Sequence, residues 1–130
     1  MIVAVFASTH TGLPYAQAIP DGPGQRLVIN NGAAGLPNFT GTSYGVITRL
    51  SSDPVWPAVI LYGTTVGGLR ADALPVHFDL AWWRRRFLAQ WPPGSPGHRS
   101  YFIRLTGGTH LRLPQAARAG VQLTVGGERP

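Results

Sequence analysis

The feature that most constrains this chain is a pair of apolar runs that each break into a polar, glycine-containing turn followed by proline. Ile2–Ala7 leads into Thr9-His10-Thr11-Gly12-Leu13-Pro14, and Leu27–Ile29 leads into Asn30-Asn31-Gly32-Ala33-Ala34-Gly35-Leu36-Pro37. Short apolar runs bounded by Gly and Pro read as buried strands. A strand that ends in polar residues delivers them to the edge of a sheet, where many α/β proteins place their chemistry. The two turns are therefore the best lead to function.

The rest of the chain supplies partners for those strands. Ile2–Ala7 is apolar without alternation, which predicts burial on both faces. Pro14–Ile19 is expected to form a short helical turn, and Pro20-Asp21-Gly22-Pro23-Gly24 a tight turn. Ser43–Ser51 and Val59–Thr65 read as strands, separated by breaks at Asp53-Pro54 and Trp56-Pro57. Gly67-Gly68 permits a sharp reversal, so Leu69–Val76 can return as a hairpin. Asp79–Trp91 is the clear helix, with Asp79 as N-cap and Pro92-Pro93 as the stop. Its Leu80, Trp83, Phe87 and Trp91 recur at helical spacing and form one apolar stripe. His98–Leu105 fits helix or strand. The expected fold is mixed α/β (α+β), with a sheet of about five strands and one long C-terminal helix against it. Residues 1–106 form the domain, and 107–130 read as a poorly anchored, Gly- and Pro-rich tail.

With 130 residues there is room for one domain with a core. Mean hydropathy is +0.04, and no apolar run reaches the roughly 18 residues that a membrane span needs. Met1–Phe6 lacks the basic start of a secretion signal. The absence of cysteine removes disulfides and thiolate metal sites and is in keeping with a cytoplasmic location. All 11 basic residues are Arg, against five acids, giving net +6. That charge attracts phosphate-bearing partners, although GC-rich codon usage explains the same bias toward Arg, Gly, Pro and Ala. The five acids, Asp21, Asp53, Asp72, Asp79 and Glu128, are dispersed. A two-metal hydrolytic site needs several carboxylates and imidazoles converging on one place, so this chain alone is not expected to build one.

Other signals are weaker. Gly63-Thr64-Thr65-Val66-Gly67-Gly68 has no Gly-Lys-Ser/Thr and is no P-loop. His77, His98 and His110 stand at no metal-ligand spacing, and no Ser occupies a nucleophile elbow. Arg84-Arg85-Arg86 beside Trp82 and Trp83 offers phosphate contacts and stacking for nucleic acid or a basic face for an anionic membrane surface. A solvated basic face with its aromatics in the core accounts for the same residues.

The first strand with Thr9–Pro14, followed by a strand and the Asn30–Pro37 turn, and then by Tyr44–Leu50, resembles the calcineurin-like metallophosphoesterases. Their last metal motif is Gly-His-x-His at a strand end, and an Asn-x-Gly-Ser-x-Gly-x-Pro-like turn follows it. The resemblance covers Ile2 to Leu69. It places Thr9 at the motif glycine, His10 at its first histidine and Gly12 at its second. It implies that His10 is a metal ligand and that Asn30 and Asn31 face substrate. The parent fold would be an α-β-β-α sandwich that binds divalent metal ions (Mn, Fe, Zn or Ni) and hydrolyses phosphate mono- or diesters. The family's Asp-x-His, Gly-Asp-x-x-Asp and Gly-Asn-His-Asp/Glu motifs precede Gly-His-x-His and are absent here. The chain then corresponds to the C-terminal portion of such a protein, inactive alone, and expected to associate with itself or with the upstream half of the fold. Taken without the family, His10 is equally a loop histidine bonded to backbone, Asn31-Gly32 a left-handed turn, and the chain a non-catalytic binding or assembly module that uses its Arg/Trp helix.

Overall fold

The expected strands divide between two sheets instead of forming one of about five. The computed structural model describes residues 4–53 and 59–124. The first two residues of the expected first strand, the breaks at Pro54 and at Trp56-Pro57, and residues 125–130 of the expected tail lie outside them. Among the described residues the architecture is mixed α+β, with sheets of three and four strands and three helices.

The first sheet has the order β1-β3-β2, formed by β1 (Val5–Ser8), β2 (Tyr15–Asp21) and β3 (Gly24–Asn30). β1 runs parallel to β3, and β2 and β3 form a hairpin closed at the Asp21↔Gly24 pair. Two sequence expectations fail here for tertiary reasons. β1 is an edge strand, with β2 on the other side of β3, and it is not buried on both faces: Phe6 is 63% exposed. Residues 15–19 are strand and not a helical turn. Ala16 and Ala18 point into the core while Tyr15 and Gln17 are half-buried, and ladder bonds to β3 override the local preference. Pro20 is tolerated because β2 lies on the outer side of β3.

The second sheet has the order β4-β6-β5-β7 and is antiparallel throughout, with β4 (Tyr44–Ser51), β5 (Tyr62–Val66), β6 (Leu69–His77) and β7 (Gln122–Leu123). The expected reversal at Gly67-Gly68 joins β5 to β6. Ala16, Leu27 and Ile29 of the first sheet share one core with Val46, Tyr62, Val66, Ala71 and Ala73 of the second. Phe39, from the connection between β3 and β4, fills the same core. Within β6, the fully buried carboxylate of Asp72 faces Arg70 at 2.6 Å and Arg49 at 3.6 Å.

The helix α1 (Leu80–Gln90) forms as expected, with Asp79 Oδ1 accepting the Trp82 N–H at 2.9 Å. It does not lie against a sheet. None of its residues is buried, and its stripe packs on α2 (Pro96–Gly107), with the Phe87 and Phe102 rings 6.3 Å apart. The ambiguous segment is therefore helix. Ser95 caps it by accepting the His98 N–H, and Pro96 occupies the first turn. Leu105 is the one residue of α2 that reaches the core.

Residues 107–124 are anchored, against the reading of a loose tail. α3 (Leu113–Ala116) ends in a fully buried Ala116. The chain then covers the outer edge of β2, through Arg118 N–H to Ala16 C=O at 2.8 Å and Ala18 N–H to Ala119 C=O at 2.9 Å. It goes on to pair as β7 with β5. This segment ties the two sheets together by backbone hydrogen bonds, which need no hydrophobic periodicity, while Leu111, Leu113, Ala117 and Val121 pack against the core. Among the described residues no helix is long and apolar enough to cross a membrane.

Candidate functional site

The parallel pairing of β1 with β3 brings the two motif turns together. Ser8 is in register with Asn30, so both strands end at one edge. Beyond that edge His10 N–H donates to Gly32 C=O at 2.9 Å, and Asn31 N–H donates to Ser8 C=O at 3.3 Å. His10 has φ +76°, and it is the one non-glycine residue in the left-handed region among those described. Such a conformation costs on the order of 1 kcal/mol for an ordinary side chain. Here the bond to Gly32 holds it, with the imidazole exposed to solvent.

Asn30 and Asn31 do different work. The Asn30 amide is buried and committed. Its Nδ2 donates to Ser8 Oγ, and its Oδ1 accepts from Gly32 N–H and from Thr11 Oγ1, each at 2.8 Å. It therefore fastens the His10 loop to the second turn. Asn31 Nδ2 donates to Val46 C=O at 2.6 Å and pins the turn to β4. Asn31 also lines an open hollow of about 420 Å³ with Ser8, Thr9, Ala34, Ile47 and Thr48. The Thr48 hydroxyl is buried there without a hydrogen-bond partner.

Two further residues, neither marked by a motif, organise this edge. Asn38 is fully buried. Its Oδ1 accepts from Ala33 N–H at 2.9 Å, and its Nδ2 donates to Ala33 C=O at 2.6 Å and to Asn31 C=O at 3.4 Å. Gly32 allows this, because at φ +74° a Cβ would lie 2.6 Å from Asn38 Oδ1 and 2.8 Å from Pro14 Cδ. A polar residue just after the turn's proline was the available signal. The second is Arg104 of α2, whose guanidinium donates to Gly12 C=O. A Cβ on Gly12, at φ +69°, would lie 2.8 Å from an Arg104 Nη. Nothing local in the sequence links residues 12 and 104. Gly12, where the family pattern has its second histidine, is thus a position whose side-chain space a cation fills.

His77 and His98 are engaged elsewhere. His77 packs edge-on against Tyr44, and His98 stacks on Phe102. Asp21 pairs with Arg26, Asp72 with Arg70, and Asp79 caps α1. Among the described residues no group of three or more His, Cys, Asp or Glu could hold a metal ion. The described residues therefore do not fit a dinuclear metal centre by themselves.

No protein-family model, curated protein or solved structure matches this chain.

Proposed function

We propose that this chain forms one wall of a metal-dependent phosphoesterase site of the calcineurin-like kind and does not turn over substrate by itself. The observation that carries the reading is the joining of the two motif turns at one sheet edge, through His10 N–H to Gly32 C=O at 2.9 Å and the three bonds of the Asn30 amide. In this reading His10 contributes one ligand for Mn, Fe, Zn or Ni, and Asn31, which lines the hollow, faces the phosphate-bearing substrate. The remaining ligands come from a segment or partner carrying Asp-x-His and Gly-Asp-x-x-Asp. The open side of β1, with Phe6 exposed, offers that segment or partner a place to pair. The net charge of +6 favours an anionic substrate.

The test joins coding sequence from directly upstream of this chain to it and assays an aryl phosphate with Mn²⁺ or Ni²⁺. The longer protein is expected to show metal-dependent hydrolysis that falls about a hundredfold or more in His10→Ala, and this chain alone is expected to show none. Turnover by this chain alone would overturn the claim that its site is incomplete. An upstream sequence without the two acidic motifs would sink the family assignment.

A second reading rests on α1, which has no buried residue. Trp82 and Trp83 stack at 6.0 Å, and the Arg86 guanidinium lies 5.8 Å from the Trp82 ring. Arg84, Arg85 and Arg86 are all exposed. An aromatic and cationic surface of this kind suits a nucleic-acid contact. A gel shift across salt concentrations separates the readings: binding that survives His10→Ala but is lost when Arg84, Arg85 and Arg86 become Ala belongs to the helix.

A further inference from the structure

We infer that the cavity between α2 and the turn after it is a binding site for a small organic anion, with an oxyanion headgroup (phosphate or carboxylate) on an apolar body. The cavity measures about 830 Å³, within the usual size of ligand sites, and no Asp or Glu lines it. Arg99 and Arg104 supply positive charge, and Leu13, Ile103 and Leu111 supply apolar wall.

Arg104 carries the argument. Its hydrogen bond goes to a neutral acceptor, Gly12 C=O, and its Nε is buried with no hydrogen-bond partner. No carboxylate forms a salt bridge with it among the described residues. The Arg104 side chain is partly buried and has no counter-charge among the described residues, and an oxyanion in the cavity that its guanidinium lines gains a charge-assisted bond there. Burial also lowers the Arg104 pKa, which is the desolvation penalty seen from the proton side. The apolar wall selects against a bare inorganic ion, because such an ion leaves Leu13 and Leu111 wet. Ile103, 81% exposed, stands at the rim of the cavity.

This site does not depend on the phosphoesterase reading, since binding here needs no metal and no second segment. Titration calorimetry of the chain in EDTA, with phenyl phosphate, benzoate and inorganic phosphate as probes, tests it. Phenyl phosphate or benzoate is expected to bind saturably, about tenfold or more tighter than inorganic phosphate. The tighter of the two organic probes identifies the headgroup. Arg104→Gln should weaken that binding about tenfold or more, and Arg26→Gln, on the β2–β3 hairpin outside the cavity, should leave it unchanged. Arg104→Gln also removes the bond to Gly12, so Ile103→Asp is the second variant. It places a like charge at the exposed rim without disturbing the core and should also weaken binding. The inference is overturned if neither organic probe binds below about 10 mM, if inorganic phosphate binds as tightly as both, or if both variants bind as the parent does.

Discussion

Asn38→Ala should destabilise the chain by about 3 kcal/mol, although it removes a polar side chain from a connection between strands. Asn38 is fully buried, and its amide makes three hydrogen bonds to the backbone of Asn31 and Ala33. A neutral hydrogen bond contributes roughly 1 kcal/mol net, and a buried backbone group left without its partner costs roughly 1–3 kcal/mol. The 3.4 Å bond is the weakest of the three, which leaves a total of about 3 kcal/mol. For a chain of 130 residues, an unfolding entropy of about 0.27 kcal/mol/K converts this to a fall in Tm of about 11 °C. Thermal unfolding followed by circular dichroism reads the shift, and amide exchange should show the Ala33 N–H losing protection. Asn38→Asp separates hydrogen-bond donation from volume. The carboxylate can still accept from Ala33 N–H, but it turns a buried negative charge toward two carbonyl oxygens. It should therefore be at least as harmful as Ala. A fall of less than about 3 °C in Asn38→Ala, or a stable Asn38→Asp, would refute the claim that this amide holds the second turn in place.

Further expectations follow from other residues. Tyr62→Phe should raise stability by about 1 kcal/mol in urea unfolding at pH 7, because the buried Tyr62 hydroxyl has no hydrogen-bond partner. Burial raises the Tyr62 pKa above its ordinary 10.0, and Tyr44 adds to the effect. The unfolded chain therefore releases that proton first. Stability is full below about pH 10 and falls above it by up to about 1.4 kcal/mol per pH unit, a loss that Tyr62→Phe should lessen. Gly32→Ala should cost about 2–4 kcal/mol, combining left-handed strain with the clash against Asn38 and Pro14. Gly22→Ala, at φ +57° with nothing within 4 Å of the new methyl, should cost only about 1 kcal/mol; equal losses in paired thermal melts would contradict the contact at Gly32. Asp72→Ala removes the buried carboxylate that faces Arg70 and Arg49 and should cost about 3–5 kcal/mol; a loss under about 1 kcal/mol would show that those guanidinium groups do not need it. In contrast, Trp82→Ala should change stability by less than about 0.5 kcal/mol, since Trp82 is 50% exposed on a helix that buries nothing.

What the sequence determined by itself was local. Punctuation by Gly and Pro located the hairpin turns, and Asp79 marked the start of α1, because caps and turns are satisfied by residues a few positions away; the start of α2 at Ser95 and Pro96 was not legible, since 98–105 fitted helix or strand equally. The two motif turns were legible for the same reason, each being a strand followed by a glycine-containing break. Tertiary structure decided the rest. Periodicity cannot distinguish a strand buried on both faces from an apolar strand at an edge, so the place of β1 and the exposure of Phe6 were decided by which elements the fold lays beside it and over it. Residues 15–19 became strand because a long-range ladder outweighs a weak local preference, and residues 116–124 were anchored by backbone bonds to both sheets together with burial of Ala116 and packing of Ala117 and Val121, too few and too irregular to show a period. The candidate site divides in the same way. His10, Asn30 and Asn31 could be named from their turns. That Asn30 is an internal fastener while Asn31 lines a hollow, and that Arg104 fills the space beside Gly12 from 92 residues away, depends on which chain segments the two sheets and α2 bring into contact.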